Sequence, residues 1–346
     1  MHKTIVKLFV LILITLSACK PANRWNPDVS KISANVKLIR FEKQLFSIDT
    51  NHFDAGAQKL IETEKDMMEL FVSRLHHFGK MTDPRSMMLL KKVIVTNKYM
   101  RDSLYPDVEK TFDDAEIAKL ETQLTDAFKH LQYYYPKDTL PKVYTFINPW
   151  DVPAATYPNV LAIGLDMFMG ENYKYYPSLE YPGYLRKRLR KEYIVSEALK
   201  TMFQAKYDIQ QSIVDQTMLS NMIYAGKRLF YLDVMKPDMP DSIKIGYTAA
   251  QLKWCQDYEA DIWNHMVAKN LLYNTNQDKV DRYISENAFT NDEDVPQESS
   301  PRIGEWLGWQ IVKKYMEENP KVTLDELFQN KDYRKILAAS KYKPGK

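Results

Sequence analysis

The sequence predicts a mostly helical α+β protein with one small β-sheet. Apolar residues recur at helical spacing over several long segments of the 346-residue chain, as in "DDAEIAKLETQLTDAFKHL", and this spacing gives a helix one apolar face. Two short runs in the middle of the chain, "KVYTFIN" and "NVLAIGLDMFMG", are rich in β-branched and aromatic residues and predict strands. The stretch between them, "PWDVPAATYP", has the proline content of a turn and predicts a loop.

The N-terminus has the layout of a secretory signal. Lys3 and Lys7 precede an apolar run from Leu8 to Leu16, which is much shorter than the roughly 20 residues of a membrane-spanning helix. The signal ends in "LSAC", which resembles a bacterial lipobox and implies cleavage before Cys19 and acylation of that cysteine. Acyl chains contribute about 0.8 kcal/mol per buried methylene, so the partner of Cys19 would be membrane lipid. An ordinary cleaved signal with a coincidental cysteine is the alternative.

Charge and cysteine content narrow the class of protein further. Removal of residues 1–18 lowers the formal net charge from +3 to +1, because this segment holds two lysines and no acidic residue. A near-neutral exported domain is not a nucleic-acid binder, since such binding requires many phosphate neutralisations. With Cys19 acylated, Cys255 has no partner for an internal disulfide, and its apolar neighbours indicate a small core residue.

The chain is predicted to form one folded domain behind a membrane anchor. A tether is predicted because "KPANRWNPDVSKIS" contains two prolines and little apolar periodicity. The predicted segments are a lipoprotein signal peptide at 1–18, a lipid-anchored tether at 19–33, and a single domain at 34–346 with a helical front at 54–132, a sheet at 142–170 and core helices at 181–340.

Two helix starts and one close contact are also predicted. Asp83 before Pro84, and Ser300 before Pro301, are each a good N-cap followed by a proline in the first turn. The helix after Ser300 carries Gly304 and Gly308 one turn apart. Glycine is a weak helix former, so its use here indicates that another element approaches this face closely.

The segment "YIVSEALKTMF" at residues 193–203 differs from a zinc-protease helix at two positions. In an HExxH helix two histidines bind zinc and the glutamate activates the attacking water. Glu197 has the place of that glutamate, but Ser196 and Lys200 stand where the histidines would be. A hydroxyl is a poor zinc ligand, and deprotonating lysine at pH 7 costs roughly 4.6 kcal/mol. From spacing alone, Glu197 and Lys200 form a weak i, i+3 surface pair, and this interpretation stays open beside the protease-like one.

Four blocks of sequence carry a resemblance to a known family: "NVLAIGLDMFMGENYKYYP", "YIVSEALK", "NMIYAGKRLFYLD" and "PRIGEWLGWQIVKKYM". Their order and spacing resemble the gliding-motility lipoprotein B family of Bacteroidetes from about residue 30 to the C-terminus. That family is in turn similar to predicted zinc proteases of the gluzincin type. The resemblance implies that "NVLAIGLDMFMG" is the edge strand before the active helix, that Ala225 replaces a ligand glutamate, and that Arg302 faces the old groove.

The resemblance therefore implies a zincin-like domain whose metal centre is lost, with no catalytic residue, no metal and no cofactor. The residues expected in this vestigial groove are Ser196, Glu197, Lys200, Ala225, Arg302 and Trp306. We expect a non-catalytic envelope lipoprotein, anchored facing the periplasm, whose protein partners belong to the gliding machinery and its associated secretion system. The alternative is a metal-dependent peptidase or hydrolase that uses Glu197 with ligands not recognised in the sequence.

Overall fold

The computed structural model describes residues 24–207 and 216–345, so the predicted signal peptide and Cys19 lie outside the described residues. This part of the chain is mostly helical and contains a single four-stranded sheet, which confirms the predicted α+β class. No helix within these two ranges combines the length and the apolar composition that a membrane span requires. The buried apolar side chains of the described residues form one continuous cluster.

The sheet is mixed, and its edge differs from the predicted one. Its strands are β1 Leu38–Arg40, β2 Lys142–Phe146, β3 Ala154–Tyr157 and β4 Val160–Gly164. The order is β1-β2-β4-β3, with β1, β2 and β4 parallel and β3 antiparallel to β4. The strand of "NVLAIGLDMFMG" is thus β4, an interior strand buried at every position. The edge strands are β1 and β3. Strand β3 lies within the stretch predicted to be a loop, and Pro158 and Asn159 connect it to β4 as a two-residue loop.

The front of the molecule consists of five short helices and one long helix, with π-helical segments at Leu70–Leu75, Lys92–Thr96 and Met100–Leu104. Its α-helices are α1 Phe41–Phe46, α2 Phe53–Thr63, α3 Lys65–Glu69, α4 Pro84–Lys91, α5 Tyr105–Thr111 and α6 Asp114–Tyr134. The predicted start of α4 is confirmed, because the Asp83 carboxylate accepts a hydrogen bond from the Arg85 backbone N–H at 2.8 Å. The long apolar pattern after residue 53 does not give one helix, since the backbone leaves helical geometry at Glu64, where φ is −128°.

The second half is a helical core around two long helices, α9 and α14. Its helices are α7 Gly183–Arg186, α8 Ile194–Lys206, α9 Met218–Met235, α10 Asp241–Ile245, α11 Ala249–Asp257, α12 Glu259–Ala268, α13 Gln277–Ile284, α14 Ile303–Glu318, α15 Leu324–Gln329 and α16 Tyr333–Ser340. The segment from Ala249 to Ala268 forms two helices, α11 and α12, which are separated at Tyr258.

The predicted N-cap at Ser300 is wrong. The helix α14 begins three residues later, at Ile303, and its N-cap is Arg302 in the left-handed region at φ 52°. The Ser300 hydroxyl donates instead to the carbonyl of Gln251 at 2.6 Å. A serine engaged with a distant backbone carbonyl does not cap its own helix.

Backbone contact between α9 and α14 confirms the close approach predicted from the glycines. A Cβ atom on Gly308 would lie 1.7 Å from the carbonyl oxygen of Met222, and one on Gly226 would lie 2.2 Å from the carbonyl oxygen of Gly308. The helix α8 packs against α9 on one side and against β3 and β4 on the other. Gly226 and Gly308 therefore set the distance between α14 and α9, the helix against which α8 packs.

We predict that Gly308→Ala lowers the free energy of unfolding by about 3 kcal/mol or prevents folding, because the new methyl group overlaps a backbone carbonyl that cannot move alone. Urea denaturation measures the change. The matched control is Gly183→Ala, whose Cβ would meet nothing closer than 3.8 Å. A Gly308→Ala protein as stable as the Gly183→Ala protein would contradict the proposed contact.

Candidate functional site

The helix α8 brings Ser196, Glu197 and Lys200 to its N-terminal half. The Ser196 side chain is buried, and its hydroxyl donates to the carbonyl of Ile243 at 3.4 Å. The Lys200 Nζ atom donates to Glu197 Oε1 at 3.1 Å, and the exposed fractions of the two side chains are 11% and 28%. The predicted i, i+3 pair therefore forms, but it lies mostly beneath the surface rather than in solvent.

The face of α9 that carries Ala225 also carries Arg228, because residues three apart share a helix face. Ala225 is buried. The Arg228 guanidinium is close enough to α8 to act on the charges of both Glu197 and Lys200. Ala225 thus lies on α9 within one turn of the cation that acts on the charged residues of α8.

Glu305 of α14 is the buried anion that joins α9 to α14. Its Oε1 atom accepts a hydrogen bond from Arg228 Nη2 at 2.8 Å, and its Oε2 atom pairs with Arg302 Nη1. The Glu305 and Arg302 side chains are only 2% and 5% exposed. Two guanidinium groups on one carboxylate offset the desolvation of all three charges.

Arg302 extends these pairs toward the surface. Its Nη2 atom donates to the carbonyl of Ile245 at 2.8 Å, and its Nε atom lies 3.3 Å from Glu286 Oε2. Glu286 in turn accepts from Arg188 at 2.8 Å. Four cations and three carboxylates thus form one group, which we call the charged cluster. It consists of Arg188, Glu197, Lys200, Arg228, Glu286, Arg302 and Glu305.

The charged cluster lowers the pKa of two of its carboxyl groups, those of Glu305 and Glu197. Burial raises the pKa of Glu305, but Arg302, Arg228 and Lys200 outweigh it and bring that pKa down to about 2. Burial also raises the pKa of Glu197, and Lys200 together with Arg188 and Arg228 moves it below its ordinary value. The pKa of Lys200 is lowered, chiefly by burial and further by Arg228, against the opposing effect of Glu197.

The donor atoms at the three presumed ligand positions do not fit a zinc ion. The Ser196 hydroxyl and the Lys200 ammonium are both engaged in hydrogen bonds, and Ala225 has no donor atom. Zinc sites in proteins are built from thiolate, imidazole and carboxylate groups. Within residues 24–207 and 216–345, no group of three or more His, Cys, Asp or Glu side chains is arranged to hold a metal ion.

Trp306, the last of the predicted groove residues, is a packing residue in α14. Its side chain is 3% exposed. Its ring packs edge-on against Trp309, with centroids 5.9 Å apart and an interplanar angle of 89°. Trp306 thus follows Glu305 of the charged cluster in the chain, and its buried side chain is not exposed to a ligand.

The cluster includes residues that sequence reasoning missed. Arg228 and Glu305 make its central contact, and Arg188 and Glu286 form its outer end. One signal was available for Glu305, since a glutamate three residues after Arg302 interrupts an otherwise apolar run in "PRIGEWLGW". Arg188 lies in the basic run "RKRLRK" and Glu286 lies in an acidic loop. Neither sequence pattern predicts that these two residues form an ion pair.

We predict that Glu305→Gln lowers the free energy of unfolding by about 3 kcal/mol at pH 7, because it leaves Arg302 and Arg228 buried without a full counter-charge. The pKa of Glu305 is depressed in the folded state, so its stabilisation is complete above the ordinary value of 4.5 and is lost as the pH falls toward about 2.

The difference in stability between wild type and Glu305→Gln should therefore shrink as the pH is lowered through that range. Urea titrations at several pH values measure it. Glu317→Gln, a change at a side chain that is 66% exposed, is the matched control and should change little. A difference that does not depend on pH between 4.5 and 2 would contradict the role of Glu305.

Comparison with known proteins assigns the chain to a family. The model of the family described as gliding motility protein GldB matches residues 22–344. No curated protein and no solved structure matches the chain. The match covers both the sheet and the helices that hold the charged cluster. The chain therefore belongs to the GldB family of gliding motility lipoproteins.

Proposed function

We propose that this protein acts as a non-catalytic assembly component of the gliding machinery, linked to its secretion system. Membership of the GldB family indicates a lipoprotein that is associated with the cell envelope and takes part in a protein machinery. The observation that carries the non-catalytic role is the charged cluster, in which Glu197 and Lys200 are bound to each other and held beside Arg228.

The chemistry of Glu197 supports this role. A general base must have a carboxylate that is available to a water molecule and a pKa suited to accepting its proton. The carboxylate of Glu197 is bound to the Lys200 ammonium at 3.1 Å, and its pKa lies below the ordinary value. Ion pairing therefore makes Glu197 a poorer base than an isolated glutamate. Among the described residues, no group of three or more His, Cys, Asp or Glu side chains is arranged to hold a metal ion.

A zincin-like ancestry for the domain belongs to the same proposal. Two features support it: α8 lies between α9 and a sheet with an antiparallel edge strand, and Ala225 is a buried residue of α9 three positions before Arg228. In this account the Glu197–Lys200 pair and Arg228 occupy the region where a metal and its ligands once lay. The ionic pairs would then stabilise the packing of α8, α9 and α14.

We further propose that acylated Cys19 anchors the domain, facing the periplasm, close to a membrane. The residues assigned to a tether do not all extend into solvent, because Arg24 donates to the carbonyl of Val322 at 2.8 Å and Trp25 packs on Phe230 with ring centroids 5.3 Å apart. Four residues lie between Cys19 and Arg24, and the five residue-to-residue steps span at most about 18 Å when fully extended. Such a short connection would hold the domain at the membrane surface. The lack of an acidic run after Cys19 supports the periplasmic side.

We predict that Cys19→Ser abolishes incorporation of a clickable fatty acid in cells and moves the protein from the membrane to the soluble fraction, because the acyl chains provide the membrane affinity. Cys255→Ala is the control, since Cys255 is buried in the folded domain and its loss should leave labelling unchanged. Fatty-acid labelling that persists in Cys19→Ser and disappears in Cys255→Ala would contradict the proposal that Cys19 is the acylated residue.

We also predict that the purified protein contains less than about 0.1 zinc per chain and that a chelator leaves its melting temperature unchanged, since the residues that the structure describes offer no donor set for zinc. In a gliding host that lacks the gene, Glu197→Gln should restore spreading as wild type does. About one zinc per chain, or peptidase activity that a chelator removes and zinc restores, would establish the hydrolase alternative instead. Loss of spreading with stable Glu197→Gln protein would also count against the non-catalytic role.

A further inference from the structure

A cavity of about 580 Å³ opens between α11, α12 and the loop that leads into α14. None of its lining residues belongs to the charged cluster. Most of its wall is aromatic or aliphatic, and the side chains concerned are Trp254, Tyr258, Ile262, Val295, Pro296 and Ile303. A cavity of this size has room for one or two side chains of a peptide.

Two aromatic rings at the mouth of this cavity are positioned to contact a partner. The rings of Trp254 and Tyr258 lie 4.9 Å apart at an interplanar angle of 33°. Tyr258 is 47% exposed, although it is a large apolar residue. Aromatic side chains beside an apolar pocket, here the exposed Tyr258 and the half-buried Trp254, are typical of the centres of protein interfaces. Their π faces also attract ammonium and guanidinium groups.

The charge around the cavity is negative. Asp261, Asp294 and Glu298 line it, and none of the described lining residues is lysine or arginine. Asp294 is paired with Lys269 at 2.6 Å, whereas Asp261 and Glu298 are exposed and make no ion pair with any described residue. The loop at 285–299 that forms one wall contains five acidic residues and no basic one.

We propose that this groove binds a segment of a partner protein in which an aliphatic residue is flanked by lysine or arginine. The aliphatic side chain enters the cavity, while the cation lies over Trp254 and Tyr258 and pairs with Asp261 or Glu298. An anionic membrane surface is repelled by the same carboxylates, so the occupant is a peptide and not lipid. This inference goes beyond the assembly role, because it names the chemistry of one partner and does not depend on the charged cluster.

Fluorescence anisotropy with the detergent-solubilised full-length lipoprotein tests the proposal. The probe is a fluorescein-labelled peptide, Gly-Leu-Arg-Leu-Lys-Gly, blocked at its C-terminus, and the comparison peptide is Gly-Leu-Glu-Leu-Glu-Gly. We expect the cationic peptide to bind at least about tenfold more tightly than the acidic one. The double variant Asp261→Lys/Glu298→Lys should weaken its binding at least about tenfold, and Tyr258→Ala should weaken it about fivefold.

The matched control is Glu62→Lys/Asp102→Lys, which makes the same change in net charge at two exposed residues of the helical front and should leave binding within about twofold of wild type. The proposal is overturned if this control weakens binding as much as the groove variant. It is also overturned if both peptides bind equally, or if the cationic peptide shows no saturable binding below about 1 mM. Protein binding to phosphatidylglycerol vesicles that Asp261→Lys/Glu298→Lys abolishes would likewise reject a peptide as the occupant.

Discussion

The contact between α9 and α14 is the constraint on which the functional region depends. Gly226 and Gly308 let the two backbones touch, and a side chain at either position would overlap the facing helix. At this spacing Glu305 of α14 is excluded from solvent and lies directly against Arg228 of α9. A carboxylate in such a position is stable only if it is paired, because desolvation of a lone charge costs several kcal/mol. Arg302, the N-cap residue of α14, forms the second ion pair with Glu305.

The charged cluster extends this constraint to α8. Arg228 pairs with the Glu305 carboxylate and also acts on the charges of Glu197 and Lys200, so the charges of three helices act on one another. Ionic pairs of this kind seldom add much stability compared with a well-packed apolar alternative, but removal of one member is costly. The ionic pairs determine which residues of α8, α9 and α14 face each other. A region that resembles a protease site in sequence is, in this account, one that fixes helix packing in a gliding motility lipoprotein.

Sequence reasoning succeeded where a pattern depends on local chemistry and failed where it depends on distant partners. The α+β class, the start of α4 at Asp83 and the close approach at Gly308 all follow from periodicity, capping and residue size. The edge strand β3 was missed because a short, half-exposed strand rich in alanine has no strong pattern of its own. Ser300 has the local signal of an N-cap, but its hydroxyl is used by Gln251, which lies 49 positions earlier in the chain.

The same distinction between local and distant partners explains which contacts of the candidate site could be predicted from the sequence. The i, i+3 spacing of Glu197 and Lys200 was sufficient to predict their pairing, and the resemblance placed Ala225 and Arg302 in the same region of the fold. Neither could predict that Arg228 and Glu305 meet, because their contact joins residues 77 positions apart. One buried glutamate in an apolar helix was the available hint. A buried carboxylate requires a cation nearby, but the sequence does not say which one.

A double-mutant cycle on Arg228 and Glu305 tests the central claim most directly. The free energies of unfolding of wild type, Arg228→Met, Glu305→Gln and the double variant give the coupling between the two side chains, with the effect of Arg302 largely cancelled. If the cluster holds α9 and α14 in register, the coupling is about 2 kcal/mol or more. Effects that add to within about 0.5 kcal/mol would contradict the account.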